Sequence, residues 1–268
     1  MPSAKAPLPL VAICAGLLCT GCGTLPSGRG WGEEATIRPG WTRVKEAAVT
    51  AAKDPWVWVP LAAAAVLQID DFDRRTSDWA RDNTPVFGSQ KSAEDWSDDL
   101  RSTTVALQLV TLLATPSGNE PGEWLINKAK GAAVEFGAVA ATSAATVALK
   151  DAAERERPNG VDSESFPSGH ASSAAVHGRL AKTNLESIDL PSAARCVANI
   201  GTDIAIAGTA WARVEAGWHY PADTLAGIAL GAFVASFATR AFLDDAKGQS
   251  LALTTTDGGA VLQWQVRF

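Results

Sequence analysis

Cysteine is scarce in this chain, and its placement excludes two kinds of stabilisation. Cys14, Cys19 and Cys22 lie close to the N-terminus, which leaves Cys196 alone in the body of the protein. With Cys22 modified as argued below, the domain can form neither an intramolecular disulfide nor a cysteine-based metal cluster. Its fold must therefore be stabilised by packing.

Charge is also limited, and positive charge in particular. Only 19% of the 268 residues are charged, and the formal net charge is -6. This balance argues against a nucleic-acid-binding protein and against attachment to a membrane by a polybasic patch. A hydrophobic content of 47% excludes a disordered chain. Any anion site must therefore be a local concentration of positive charge.

Long uncharged runs are missing as well after residue 28. The longest contain about 15 or 16 residues, fewer than the roughly 20 that a membrane-spanning helix needs. They are rich in alanine, whose small side chain lets helix axes approach closely. These runs favour the buried helices of a globular bundle. No fixed-period repeat is present, which argues against a solenoid.

The first 22 residues read as a targeting segment. Lys5 precedes an apolar stretch, LPLVAICAGLLCTGC, that ends at Cys22. This resembles a bacterial lipoprotein signal with Cys22 as the lipidated residue, although Cys19 stands where a leucine is usual. The alternative is an ordinary secretory signal. Gly23, where an aspartate would retain a lipoprotein at the inner membrane, favours the outer membrane, so we expect an envelope protein that faces the periplasm.

The remaining chain divides into three parts. Residues 23–40, rich in glycine, proline and serine, are predicted to form a flexible tether. Residues 41–246 are predicted to form an all-α bundle, and residues 247–268 a C-terminal β-hairpin around an Asp-Gly-Gly turn. The hairpin resembles the closing strand of an outer-membrane barrel, but no upstream strands complete one. Apolar spacing predicts helices over 42–53, 56–70, 99–115, 122–150, 170–184, 191–216 and 221–243. The acidic stretch between the second and third helices is predicted to be a surface loop with at most a short helix.

One stretch, SFPSGHASS at residues 165–173, puts a histidine at a predicted helix start in a chain with only three. A helix N-terminus presents unpaired N–H groups and partial positive charge, so it is suited to bind an anion. A histidine there could move protons for that anion. Pro167, Ser168 and Gly169 could equally form an ordinary turn and cap, with His170 as a first-turn residue.

Two other stretches carry residues suited to the same anion. KDAAERERP places Lys150 and Arg157 seven residues apart, which predicts that they share one side of a helix. ARVEAGWHYPAD collects Arg213, His219 and Asp223. A proline in the first helical position would put Asp223 in the first turn, where its carboxylate can accept from a ring nitrogen of His219 and fix the tautomer.

These blocks, K-x6-R-P, P-S-G-H and R-x5-H-x3-D, resemble in this order the type 2 phosphatidic acid phosphatase superfamily, which includes class A bacterial acid phosphatases and vanadium haloperoxidases. The resemblance covers residues 150 to about 235. It implies an all-α bundle of that superfamily's type and a phosphoric ester hydrolase. No carboxylate cluster suited to a divalent metal stands out, so we expect no metal and no other cofactor.

The resemblance also implies the role of each matching residue. Lys150, Arg157 and Arg213 would bind the phosphoryl oxygens, helped by Ser168 and the N–H of Gly169. His219 would be the nucleophile and form a phosphohistidine intermediate. His170 would protonate the leaving oxygen and then activate water, and Asp223 would complete the catalytic set.

Three positions depart from the pattern or fall outside it. Ala212 stands where the superfamily usually has serine, so one hydroxyl donor near the phosphate is missing. The loop between Pro158 and Pro167 is shorter than in most members, which puts in doubt the substrate contacts that this loop makes elsewhere. His177, two turns after His170, matches no position of the pattern and is expected to pack in the core or behind the site.

The expected substrate is a phosphomonoester or diphosphate, either of a membrane lipid or of a small soluble molecule. The lipid anchor and the tryptophans at positions 41, 56, 58 and 218 favour a lipid, although these tryptophans could equally belong to the core. A vanadate-dependent haloperoxidase and a non-enzymatic envelope lipoprotein are the alternatives. The His-x3-Asp spacing favours the phosphatase branch, and both histidines and all three cations are retained.

Overall fold

The computed structural model describes residues 21–243, 250–256 and 259–265, so the first 20 of the 22 residues predicted to form the signal and the turn residues Asp257 and Gly258 lie outside it. This part of the chain contains eight α-helices: α1 (Trp41–Ala52), α2 (Pro55–Val66), α3 (Phe72–Asn83), α4 (Gln90–Ala114), α5 (Pro121–Ala153), α6 (Gly169–Ser187), α7 (Ser192–Glu215) and α8 (Pro221–Phe242). A 3₁₀ turn (Ile69–Asp71) separates α2 from α3. The all-α class is confirmed.

Two strands follow the helices. β1 (Ser250–Thr256) pairs with β2 (Gly259–Gln265) in an antiparallel ladder in which Leu253 faces Leu262. The predicted C-terminal hairpin is therefore present at the level of the backbone.

Helix α6 packs against α8 so closely that only glycine fits at two positions of α8. A β-carbon at Gly227 would lie 2.5 Å from the carbonyl oxygen of Ser168, and one at Gly231 would lie 2.3 Å from that of Ser172. On the facing side, Ala171 and Ala175 are fully buried. The small residues therefore bring the two backbones into contact, and the N-terminus of α6 lies beside the first turns of α8.

Helix α3 and the first turns of α4 lie where the acidic stretch was predicted to be a surface loop. That prediction was wrong because the buried faces of these helices are polar. Asp73, Ser77 and Ala80 face inward from α3, and Ser97 and Thr104 face inward from α4. Their spacing is helical, but no large apolar side chain marks it.

The predicted tether also differs from the structure. Leu25 and Trp31 are buried, and Trp31 donates its N–H to the carbonyl of Pro116 at 2.7 Å. Gly23 forms an antiparallel bridge with Gly118. Composition predicted flexibility, but one tryptophan and one leucine supply enough apolar surface to hold this segment on the bundle.

Two of the described helices, α5 and α8, are long and apolar enough to cross a membrane, with mean hydropathies of 1.5 and 1.6 over their most apolar windows. Counting uncharged runs missed this property because single charged residues interrupt otherwise apolar helices. Most of that window is buried in α8, at 61%, whereas only 22% is buried in α5. Length and composition alone do not distinguish a core helix from a membrane span.

Candidate active site

The predicted site residues come from the ends of four helices. Lys150 lies in the last turn of α5, and Arg213 lies in the last turn of α7. Ser168 is the N-cap of α6, with Gly169 and His170 opening the helix. His219 directly precedes α8, and Asp223 lies in its first turn. Arg157 occupies the loop between α5 and α6.

The path of the chain to Arg157 differs from the prediction. Helix α5 ends at Ala153, and Glu154 adopts a left-handed conformation with φ 44°. Arg157 is therefore not on the helix of Lys150. The loop instead brings its guanidinium to 5.1 Å from the ring centre of Trp218, and the guanidinium of Arg213 lies 5.0 Å from the same ring. Trp218 is thus the common contact of two cations that are remote in sequence.

Arg213 is buried and incompletely paired. Its Nη1 donates weakly to Ser97 Oγ at 3.4 Å, and its buried Nε has no hydrogen-bond partner within the described residues. Burial lowers the pKa of Arg213, the positive charge of Arg157 acts in the same direction, and the resulting pKa is about 10. A buried cation with an unused donor is the arrangement expected of an anion site.

Lys150 and Arg157 are held by the loop that follows α5. The ammonium of Lys150 donates to the carbonyl of Glu164, and its pKa is lowered by burial and by Arg157. Arg157 Nε donates to Asp162 Oδ1 at 2.5 Å. Glu164 Oε2 also lies 3.8 Å from Arg157 Nη2, so carboxylates pair with the cations of this loop, whereas no salt bridge to Arg213 occurs among the described residues.

His219 is 2% exposed, and its pKa lies well below the usual value. Burial is the main cause, and the charges of Arg213, Arg157 and Lys150 act in the same direction. Its Nδ1 lies 2.6 Å from the carbonyl oxygen of Ser165. Because a carbonyl can only accept, Nδ1 carries the hydrogen and Nε2 keeps its lone pair. A neutral imidazole surrounded by cations is suited to nucleophilic attack on an anion.

Asp223 does not make the predicted bond to His219. Its Oδ2 accepts from the hydroxyl of Ser165 at 2.6 Å and from the N–H of Tyr220 at 2.9 Å, and its Oδ1 accepts from Arg155 at 2.5 Å. Burial raises the pKa of Asp223, and Arg155 opposes that rise. The ring of His219 therefore donates to the backbone carbonyl of Ser165, and the hydroxyl of Ser165 donates to Asp223.

The start of α6 was predicted to be either an anion-binding site or an ordinary turn and helix cap. Ser168 Oγ accepts from the N–H of Ala171 at 3.4 Å, which is an ordinary N-cap. The N–H of Ser168 donates to the carbonyl of Asp223 at 3.0 Å, which fixes this cap against α8. The capped end therefore lies against the first turn of α8, which carries Asp223.

His170 Nε2 lies 2.9 Å from Asp98 Oδ1, on α4. The pKa of His170 is lowered by burial and by Arg213, and the hydrogen bond with Asp98 opposes this. His177 is buried elsewhere, with Nδ1 bonded to Gln108 Oε1. It lies on the buried side of α6 and contacts α4 through Gln108.

Comparison with known proteins adds one match. Residues 132–247 match the family model described as the PAP2 superfamily. This segment of the chain is similar to the PAP2 superfamily. No curated protein and no solved structure matched the chain. The matched residues contain the three sequence blocks and the four helix ends that carry the predicted site residues. The match supports phosphoric ester hydrolysis.

Sequence reasoning about the PAP2 blocks missed three side chains. Asp98 contacts His170, and Arg155 contacts Asp73 as well as Asp223. Asp98 and Asp73 precede the matched residues and carry no motif of their own. Arg155 lies inside K-x6-R-P, two residues before the arginine that the block prescribes, but the pattern does not mark its position.

A cavity of about 220 Å³ opens beside Arg155. It is lined by Leu67, Gln68, Asp71, Asp73, Arg74, Arg155, Glu156 and Tyr220. None of the three predicted phosphate-binding cations lines it. No group of three or more His, Cys, Asp or Glu side chains suited to a metal ion occurs in the described part of the chain.

Proposed function

We propose that this chain is a metal-independent phosphatase that hydrolyses phosphomonoesters or diphosphates through a phosphohistidine intermediate on His219. The observation that carries the proposal is the buried neutral imidazole of His219 beside Lys150, Arg157 and Arg213, one of which keeps an unpaired donor. Three fixed cations can stabilise charge on the equatorial oxygens of a phosphoryl group, which is the main requirement of phosphoryl transfer.

In the first step, Nε2 of His219 attacks phosphorus. A P–N bond forms as the ester P–O bond breaks, and His170 transfers its proton to the departing oxygen. The backbone N–H groups at the start of α6 add neutral donors and a favourable dipole for the transferred group. Asp98 supports this role because its carboxylate stabilises the protonated form of His170.

In the second step, His170 accepts a proton from water. The water oxygen attacks phosphorus, the P–N bond breaks, and inorganic phosphate leaves while His219 regains its lone pair. Each histidine thus returns to its starting state, and the three cations hold the same oxygens throughout.

The substrate we propose is a membrane lipid phosphate or diphosphate, met at the periplasmic side of the envelope by a protein anchored through lipid on Cys22. Trp41 and Trp58 support this choice because they are 79% and 53% exposed, as tryptophans at a bilayer surface are. Trp56 and Trp218 support it less, because they pack against cations of the bundle.

The test measures inorganic phosphate released by the purified chain starting after Cys22, with His219→Ala as the inactive control. The substrates are an aryl phosphate, phosphatidic acid, phosphatidylglycerophosphate and undecaprenyl diphosphate. We expect lipid substrates to be preferred, EDTA to leave the rate nearly unchanged, and vanadate to inhibit by occupying the phosphoryl site.

Each alternative gives a different result in this assay. Equal or faster release from the aryl phosphate would indicate a broad-specificity phosphatase. Vanadate-dependent bromination would indicate a haloperoxidase, and no turnover of any kind would indicate a structural lipoprotein. Full activity of His219→Ala, or strong loss in EDTA, would contradict the mechanism.

A further inference from the structure

Ser165 is the junction of three hydrogen bonds in the loop that precedes α6. Its N–H donates to the carbonyl of Arg155 at 2.9 Å, and its hydroxyl donates to Asp223 Oδ2 at 2.6 Å. Its carbonyl is the acceptor for Nδ1 of His219. Ser165 is fully buried, so water does not compete for these bonds. One residue therefore links the carboxylate and the imidazole that are expected to act together.

Arg155 holds the other side of the same carboxylate. Its Nη1 donates to Asp223 Oδ1 at 2.5 Å, and its Nη2 donates to Asp73 Oδ2 at 2.7 Å. The guanidinium also stacks on Tyr220, 4.2 Å from the ring centre. Because a guanidinium is planar with fixed donors, these contacts fix the position of Asp223 as a lysine could not.

Asp73 extends the network to the helix that carries Asp223. Its Oδ1 accepts from the N–H of Ala222 at 2.8 Å, in the first turn of α8. Both carboxylates are buried, and two buried carboxylates side by side are stable only with a cation between them. Arg155 is that cation, and no hydrogen bond joins it to His219 or Arg213 within the described residues.

We propose that Arg155 and Ser165 are positioning residues for the phosphoryl transfer proposed above. Arg155, braced by Asp73, holds Asp223, and Asp223 holds the hydroxyl of Ser165. The carbonyl of Ser165 then keeps the hydrogen of His219 on Nδ1 and leaves Nε2 aimed at phosphorus. The alternative tautomer, with its hydrogen on Nε2, would lose this bond and could not attack.

The first measurement is steady-state phosphate release by Arg155→Ala and Ser165→Ala. We expect kcat to fall about 10²-fold, as misplacement of a reacting group does, while KM changes little because the phosphate-binding cations are intact. Arg74→Ala is the matched control, since Arg74 lines the same cavity without touching Asp223. Arg155→Lys keeps the positive charge but loses the planar guanidinium with its fixed donors, and it replaces Arg155→Ala in this test if the alanine variant does not fold.

The second measurement uses the cavity beside Arg155. Removal of the arginine side chain enlarges that cavity by the volume of a guanidinium, so added guanidinium ion should restore part of the kcat of Arg155→Ala and none of that of His219→Ala. The third measurement is the NMR signal of the proton on Nδ1 of His219. We expect this signal in the wild type, and we expect it to be weaker in Arg155→Ala and in Ser165→Ala.

The outcomes separate this proposal from the proposed function. If Arg155→Ala has the kcat of the wild type while His219→Ala is inactive, the positioning role is wrong and the proposed phosphatase function stands. Loss of activity without guanidinium rescue, and with an unchanged Nδ1 signal, would also overturn it. If the wild type releases no phosphate, the phosphatase proposal fails, and the Nδ1 signal alone decides whether Arg155 orients His219.

Discussion

At the residue scale, the cluster derives its chemistry from positive charges that the protein only partly neutralises. Arg213 is buried with an unpaired Nε, and its pKa is lowered to about 10. The same charges, together with burial, lower the pKa of His219. Binding of the proposed phosphoryl dianion would therefore offset the free-energy cost of burying these positive charges.

Asp98 provides a prediction about pH. Its carboxylate opposes the lowering of the His170 pKa by burial and by Arg213, so in Asp98→Asn the pKa of His170 should fall. Because His170 must be protonated to act as the acid, the alkaline limb of the kcat/KM profile should move to lower pH, with a larger loss of activity at pH 7 than at pH 5.

Asp99→Asn is the control for this profile, since Asp99 is the exposed neighbour of Asp98 on the same helix. An Asp98→Asn profile that superimposes on the wild type would show that the hydrogen bond does not set the titration of His170.

The sequence blocks predicted the two histidines and three cations because these residues lie within short local patterns. They did not predict Asp98 and Asp73, whose partners are 72 and 82 residues away. Nor did they predict that Asp223 would reach His219 through the backbone of Ser165. Contacts of that range depend on how helix ends meet, which no local pattern records.

At the element scale, hydrophobic periodicity located the helices with apolar faces and missed those with polar faces. Helix α8, with alanine and glycine along one side, ends at Phe242, one residue before the predicted end. Helix α3 escaped prediction because its inward positions include Asp73 and Ser77. A polar residue buried for its hydrogen bonds has the same spacing as an apolar one but gives no hydropathy signal.

Helix α5 supplies a prediction about stability, because it buries Glu135 in the bundle. Burial raises the pKa of Glu135 to about 7, its Oε2 accepts from Gln108, and its Oε1 has no described partner. The folded state therefore holds a proton that the unfolded state releases between its ordinary pKa and about 7. The free energy of unfolding should fall as pH rises through that window.

Glu135→Gln should remove this loss. The variant should match the wild type at pH 5 and exceed it at pH 7.5, by on the order of 1–3 kcal/mol. Urea unfolding at the two pH values measures the difference, and Asp151→Asn, an exposed carboxylate on the same helix, is the control. Burial lowers the pKa of His177 to about 4, which affects both proteins equally. A variant that is less stable at pH 7.5 would contradict the expectation.

At the scale of the whole molecule, the lipid anchor proposed at Cys22 and the apolar helices would be two separate means of holding the protein at a membrane. Cys22 is exposed beside the start of α5, while α5 itself leaves much of its apolar surface uncovered in the described structure. These two features make different predictions for a protein that lacks the cysteine.

We expect Cys22→Ser to move the protein from the membrane fraction to the soluble fraction and to abolish labelling by a fatty-acid analogue. Cys196→Ser, at the other exposed cysteine, should leave both unchanged. Retention of Cys22→Ser in the membrane fraction would show that the apolar helices are sufficient, and labelling of that variant would exclude Cys22 as the modified residue.

Helix α5 also sets the distance between the proposed lipid anchor at Cys22 and the candidate active site. The carbonyl of Gly21 accepts from the indole of Trp124 at 2.7 Å, so the anchor residue is pinned near one end of α5, while Lys150 lies at the other. At 1.5 Å per residue these ends are about 39 Å apart. With Cys22 lipid-modified as proposed, an upright α5 holds the site about that far above the headgroups, where soluble esters are within reach. An α5 lying along the surface would instead bring the candidate site to lipid phosphate, so the tilt of this helix would decide which of the two proposed substrate classes the site meets.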